Sequence, residues 1–572
     1  MPLSTVPGMG DTTNRIVWSE LRHNYGEASD IPGLLRACAG SDADTACDAL
    51  ADLSNKPYHQ GGWVCSAASA TLPILADLAD LADLAADGAV HYRHEVVELI
   101  GLLAREAVTA ADKFVDRDWP AALEATGPRL LALLGDPDAR VRRAATLLVA
   151  DGIRHPDSVT ALSRRWVVET DRVTRVDLVL AFGAVCTWMP DEALRADLVA
   201  LLAGDDPQLR LAAVHALAES DPTVAADQVS MLVRAVVDPD AVLWQDSSWI
   251  GGTPATIVYA TGALLASDPV GATVFAVGAA RDDDPHRRVA TLGHAQLVRS
   301  QWRTATDGLL PLLIRSLDDD VPEARYRAAA LFACLGPDAA AHADHLVART
   351  TDAAMRDSRT RTTVGDAAVW ALARQGHADC LPGLVERLSG DRLGFDTMLV
   401  HSGREMPGLA QPAICEVLVP LRRHAGVLLG PLAARRDLTS SLCRVVEAWG
   451  PDAAVALPAI VDAAADEKLH DLAVKAMGAI GPAAADAART VLRDVDEPTA
   501  AWALWRTGAD PDLGLTALTR HLTRPGARHT TIALVADLGA DAVECTDICT
   551  DILGTSMRSA DEWTRTEAAH AL

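Results

Sequence analysis

Lysine is nearly missing from this chain of 572 residues: only four of its 51 basic residues are lysine, and the rest are arginine. Aromatic residues are scarce too. They make up 4% of the chain, and tryptophan accounts for 13 of them. No glycine precedes a lysine anywhere, which excludes the loop that cradles nucleotide phosphates through a Gly-Lys pair. The G-x-S-x-G elbow of a serine hydrolase and the H-E-x-x-H zinc motif are also missing. The ten cysteines include no C-x-x-C pair, so reduced thiols in a cytoplasmic protein are expected. Cys545 and Cys549 lie one helical turn apart, but two soft ligands do not close a tetrahedron. No metal and no cofactor are expected. No run of 18 apolar residues occurs, so no membrane span is predicted. The opening "MPLSTVPGMGDTTNR" lacks the apolar core of a signal peptide, and residues 1–14 read as a disordered tail.

Positive charge is the scarcer sign. Against 51 basic residues stand 78 acidic ones, a net charge of −27. Such a surface repels nucleic acid and anionic lipid, both of which require clustered positive charge. It favours a basic protein or peptide as partner.

Hydrophobic residues make up 49% of the chain, dominated by alanine and leucine, which favours close-packed helices over sheets. One stretch recurs. In "DPDARVRRAATLLVADG", Asp136 to Gly152, Pro137 is followed by Arg140 and Val141. Pro207 is followed likewise by Arg210 and Leu211, Pro285 by Arg288 and Val289, and Pro322 by Arg325 and Tyr326. Arg172 takes the proline's place before Arg175 and Val176. The steps from 137 to 172 and from 172 to 207 are 35 residues each, and the step from 285 to 322 is 37. Self-similarity at this period signals a stack of helical repeats. Asp-Pro supplies a turn and a helix cap. Val141, Ala144, Ala145, Leu148 and Val149 then follow at helical spacing, and Gly152 is expected to stop the helix. The preceding helices carry Pro73, Pro311, Pro382 and Pro458 near their starts.

"DPDARVRRAATLL" and "GDAAVWALARQG" resemble HEAT repeats, above all the short bacterial kind of phycobilisome-lyase-like proteins. "WSELRHNYGEASDIPGLLRA" and "HQGGWVCSAASATLPIL" look like segments of actinobacterial HEAT proteins of unassigned role. The resemblance runs from about Trp18 to the end of the chain. It implies an all-α fold, an α-solenoid wound as a right-handed superhelix of about fifteen antiparallel helix pairs. The expected layout is one solenoid over 15–389, an irregular repeat or hinge over 390–412, and a second solenoid over 413–572. Its last repeat reads as incomplete, because "WALARQG" and "WALWRTG" find only "HAL" at the end. That uncapped end offers a route to self-association.

HEAT arrays serve as scaffolds and adaptors and, less often, as enzymes, so function must be read from sites. Two enzyme families with this fold fit poorly. Deoxyhypusine hydroxylases repeat a His-Glu pair to hold two irons, whereas this chain has the single pair His94-Glu95. Alkyl-purine DNA glycosylases use a basic concave surface, and no segment here matches them closely enough to transfer a residue.

Asp136, Arg140, Arg175, Arg210, Arg288 and Arg325 are expected to form a structural ladder between successive turns. Departures from the repeat are the candidate sites. "SNKPYHQGGW" carries His59 and Trp63. "VLWQDSSWIGGTP" is an insertion with Trp244, Asp246 and Trp249. "GDRLGFDTMLVHSGREMPGLAQP" holds His401, Arg404 and Glu405. Each reads either as a partner-binding feature or as packing. Trp370, Trp502, His215 and His570 share one repeat position, which suits packing of varying volume.

The leading expectation is a non-enzymatic scaffold, adaptor or inhibitor that uses a concave acidic face. The alternatives are an enzyme or ligand-binding module with its pocket at an insertion, and a DNA-binding protein.

Overall fold

The computed structural model describes residues 13–40, 42–80, 92–356, 361–397, 411–493, 496–522, 529–539 and 550. Contacts divide the chain into two units, Met1–Leu312 and Leu313–Leu572. Both are HEAT-like arrays of antiparallel helix pairs, and the all-α expectation holds. The named strands among the described residues are Arg22–His23 and Gly26–Glu27, two residues each, paired antiparallel. No helix among the described residues is long and apolar enough to cross a membrane.

In the first unit the outer helices of successive pairs include Ser66–Ala79, Trp119–Ala132, Pro156–Val168 and Glu192–Leu201. The second helices are Arg93–Thr109, Ala139–Leu147, Arg172–Trp188, Pro207–Ala218, Pro254–Ala263 and Pro285–Gln301. Neighbouring second helices pack on one another, so each pair completes the core of the next. The predicted apolar stripe is the buried face: Val141, Ala144, Ala145, Leu148 and Val149 are all within 1% of full burial.

Aspartate starts four of these six second helices by accepting orphan backbone N–H bonds. Asp206 accepts from Gln208 and Leu209, and Asp284 from His286 and Arg287, each with proline as the first helical residue. The first repeat differs. There the cap is Asp138, which accepts from the Arg140 N–H, and Pro137 lies outside the helix. Counted from the cap, the fourth residue is Arg142, Arg175, Arg210, Arg288 and Arg325 in the five repeats. Aligning on proline therefore slips by two residues at Pro137 and picks Arg140 in place of Arg142.

Gly152 is a second correction. It lies within a π-helical turn, Leu148–Ile153, and the chain reverses at Arg154, whose φ is +44°. Gly152 is instead a point of close approach, where an added Cβ would come within 2.7 Å of the Ala104 Cβ.

In the second unit glycine does stop five of the second helices. Pro322–Leu335, Val364–Arg374, Thr439–Trp449, His470–Ile480 and Pro498–Thr507 are followed by Gly336, Gly376, Gly450, Gly481 and Gly508, all at positive φ. Only Pro382 and Pro458 of the four outer-helix prolines sit in a first turn. Pro73 and Pro311 lie inside Ser66–Ala79 and Thr306–Ser316. Trp370 and Trp502 are each 8% exposed and His215 is 7% exposed, as suits packing positions. Trp502 fills the space left by Gly478 on the preceding second helix, where no Cβ would fit.

Candidate functional site

The arginine four residues after the cap acts mainly on its own backbone. Arg142 Nη1 donates to the carbonyls of Asp136 and Pro137 at 2.9 and 3.1 Å. Arg288 reaches the carbonyls of Asp282 and Asp283 at 3.2 and 3.0 Å, and Arg325 those of Asp319 and Asp320 at 2.7 and 3.2 Å. Each guanidinium thus ties the turn before its helix to the helix's first turn. Two of them also reach an acid 27 residues further along: Arg142 pairs with Glu169 at 2.8 Å and Arg325 with Asp352 at 2.8 Å. The remaining two behave otherwise. Arg175 stacks 4.4 Å from the Trp166 ring centroid, and Arg210 Nε is buried without a hydrogen bond. Asp136 pairs with Arg93 rather than with any predicted ladder member, and the Arg140 side chain pairs with Asp138 at 2.8 Å.

Glu169 is the tightest node of this network. Its side chain is fully buried and accepts from Arg142 and Arg165 and from the backbone N–H groups of Thr170 and Asp171. Burial alone would raise its pKa, but the two arginines overcome this and hold it at about 2.

The insertion folds inward. Trp244 is 2% exposed, its indole donates to Gln208 Oε1 at 2.8 Å, and its ring lies 5.8 Å from that of His215. Burial pushes His215 down to about 4. Asp246 is exposed. Trp249 is half-buried, its indole 3.4 Å from Thr146 Oγ1 on Ala139–Leu147. Between them, Ser247 Oγ donates to Asp177 Oδ1 at 2.5 Å and the Ser248 N–H to Oδ2 at 3.0 Å. Asp177 belongs to Arg172–Trp188 and is wholly buried, and burial pushes its carboxyl up to about 7. The insertion is therefore pinned across the second helices of three earlier repeats, through Thr146, Asp177 and Gln208, with Trp244 as an internal anchor. Sequence reading did not single out Asp177 or Glu169. The available signal for Asp177 was a lone acid within "VDLVLAF".

The loop carrying His59 and Trp63 is stitched to the small hairpin. Tyr25 Oη meets His59 Nδ1 at 2.8 Å, and Asp30 is shared by Lys56 at 2.8 Å and His23 at 3.1 Å. Glu106 accepts from the Gly62 N–H at 2.5 Å. Trp63 is half-buried and Tyr25 is 63% exposed. His401, Arg404 and Glu405 lie outside the described residues, as do Cys545, Cys549 and His570.

No family model matches the chain, and no curated protein matches it. Solved helical-repeat structures align along most of its length. Importin beta shares 14% identity over 95% of this chain and 88% of that one, with a TM-score of 0.42. Kap121p bound to RanGTP shares 12% over 95% and 72%, with a TM-score of 0.43. A homology model of the AP-3 complex shares 10% over 99% and 93%, with a TM-score of 0.35. At such identities and scores these likenesses add nothing to the geometry above.

Proposed function

We propose that the chain is a non-enzymatic interaction protein of the cytoplasm, a scaffold, adaptor or inhibitor whose acidic helix faces receive a basic protein or peptide. The supporting observation is where its arginines go. Arg93, Arg142, Arg287 and Arg387 are each less than a tenth exposed and bind Asp136, Glu169, Asp282 and Asp366. Every such pair removes one charge of each sign from the surface, so the excess of 27 negative charges is left to the accessible residues. Asp205, Glu219, Asp246 and Asp283 are among the exposed acids. An acidic surface steers a basic partner and suppresses acidic competitors.

An enzyme or ligand-binding module centred on the insertion would need converging groups open to a substrate. Asp177 is the group there with the shifted carboxyl, and Ser247 and Ser248 already occupy its oxygens. Packing accounts for it. The DNA-binding alternative requires a continuous basic groove, and a DNA-binding assay at low salt decides it.

The test is affinity capture with the full chain from its native cytoplasm, followed by equilibrium titration of the purified pair at several salt concentrations. The expected outcome is a basic partner whose affinity falls steadily with salt. Tight binding that ignores ionic strength, or an acidic partner on these faces, overturns the reading.

A further inference from the structure

The second unit contains arginines that the fold does not use up. Helix Val364–Arg374 ends at Gln375 and Gly376, and the 3-10 segment Val419–His424 packs nearby. Arg374, Arg422 and Arg423 line one cleft of about 550 Å³, with Asp452 as its single carboxylate and Pro337 and Pro420 in its walls. That volume suits a bound side-chain cluster or a short extended segment.

Arginine at a helix C-terminus has an ordinary role, which is to neutralise the last carbonyls. It explains part of this cleft. Arg423 Nη2 donates to the Gly376 carbonyl, and Arg422 pairs with Asp452 at 2.6 Å in a solvent-facing contact. It does not explain Arg374. That side chain is exposed and makes one long bond, Nε to the Ala333 carbonyl at 3.5 Å, which leaves both Nη nitrogens without a partner among the described residues. In a chain with 78 acidic residues, an arginine cluster facing a single carboxylate runs against the local composition. Guanidinium groups bind carboxylates by paired, charge-assisted hydrogen bonds, and arginine clusters recognise acidic motifs.

We propose that this cleft binds an acidic segment of a partner polypeptide, with the Arg374 fork donating to its carboxylates and Arg423 adding Nη1, since its Nε is held by His424 and its Nη2 by the Gly376 carbonyl. The site is separate from the acidic faces and opposite to them in the charge it selects, so either reading can fail alone.

The test uses the intact protein and fluorescein-labelled hexaglutamate, with hexaglutamine as the neutral control, read by fluorescence anisotropy. Hexaglutamate is expected to bind despite the chain's net negative charge, to weaken with salt, and to lose at least tenfold in affinity in R374E. R374A should lose less, and R140A, on an exposed arginine of the first unit, should bind as the unaltered chain does. Circular dichroism melts of R374A and R374E should match the parent, since the side chain holds one weak bond. Equal binding of the two peptides, or full hexaglutamate affinity in R374E, overturns the proposal.

Discussion

Glu169 and Asp177 stand eight residues apart, and neither side chain reaches solvent, yet their chemistry diverges. Two guanidinium groups meet Glu169 and hold it at about 2, whereas Asp177 meets a hydroxyl and a backbone N–H and rises to about 7. Burial penalises both anions; two guanidinium groups outweigh it at Glu169, and the neutral donors at Asp177 do not. A carboxylate with built-in arginines stabilises the fold when ionised. One with neutral donors stabilises it best when protonated. Arg374 gives the complementary case, a cation that meets no carboxylate among the described residues.

Replacing Glu169 by alanine should produce the largest loss. It strands Arg142 and Arg165 without their carboxylate, at a cost of about 3–5 kcal/mol, read as a lower urea midpoint for the first unfolding transition. A neutral result would break the contrast, because it would make Glu169 no better paired than Asp177.

Asp177→Asn should move the other way. The folded pKa of Asp177 lies above its unfolded value, so the parent loses stability as pH rises from about 4 to about 7. The asparagine variant should gain up to about 4 kcal/mol over the parent at pH 8, and nothing at pH 4. Glu169 has the opposite slope: its contribution is complete above its unfolded value near 4.5 and fades as pH falls toward about 2. Urea titrations of the parent and both variants between pH 2 and pH 8 check the two signs together.

Ser247→Ala removes one of the two donors to Asp177. A loss of about 1–3 kcal/mol is expected at pH 8, with faster amide exchange across 242–254 and little change at pH 4. Arg140→Ala should do least, within about 0.5 kcal/mol of the parent, since Arg140 is exposed and pairs only with its half-buried neighbour Asp138. A large effect at Arg140 would restore the proline-based alignment of the repeats.

Much of the fold was legible because several repeats state it twice, once in the apolar spacing and once in an Asp cap. Asp206-Pro207 and Asp284-Pro285 fall where the helices begin. Proline misled at Pro137, because "DPD" offers two aspartates and the second is the cap. Gly152 misled because glycine serves close helix contact as well as helix stops, and a single sequence does not separate these uses. The candidate sites were less legible. Trp244 and Trp249 stood out as residues, but whether a tryptophan faces solvent or Gln208 depends on how an insertion folds back. Asp177 and Glu169 draw their meaning from partners 70 and 27 residues away. The Arg374 cleft brings together four segments between Pro337 and Asp452 that no local pattern links.

The most direct test of the account is the association rate of the full chain with its captured partner, followed by stopped flow across ionic strength. Long-range attraction by the unpaired acids predicts a rate constant that falls by an order of magnitude or more between low and physiological salt. A rate that stays flat over that range would contradict the claim that surface acidity is what this protein presents to its partner.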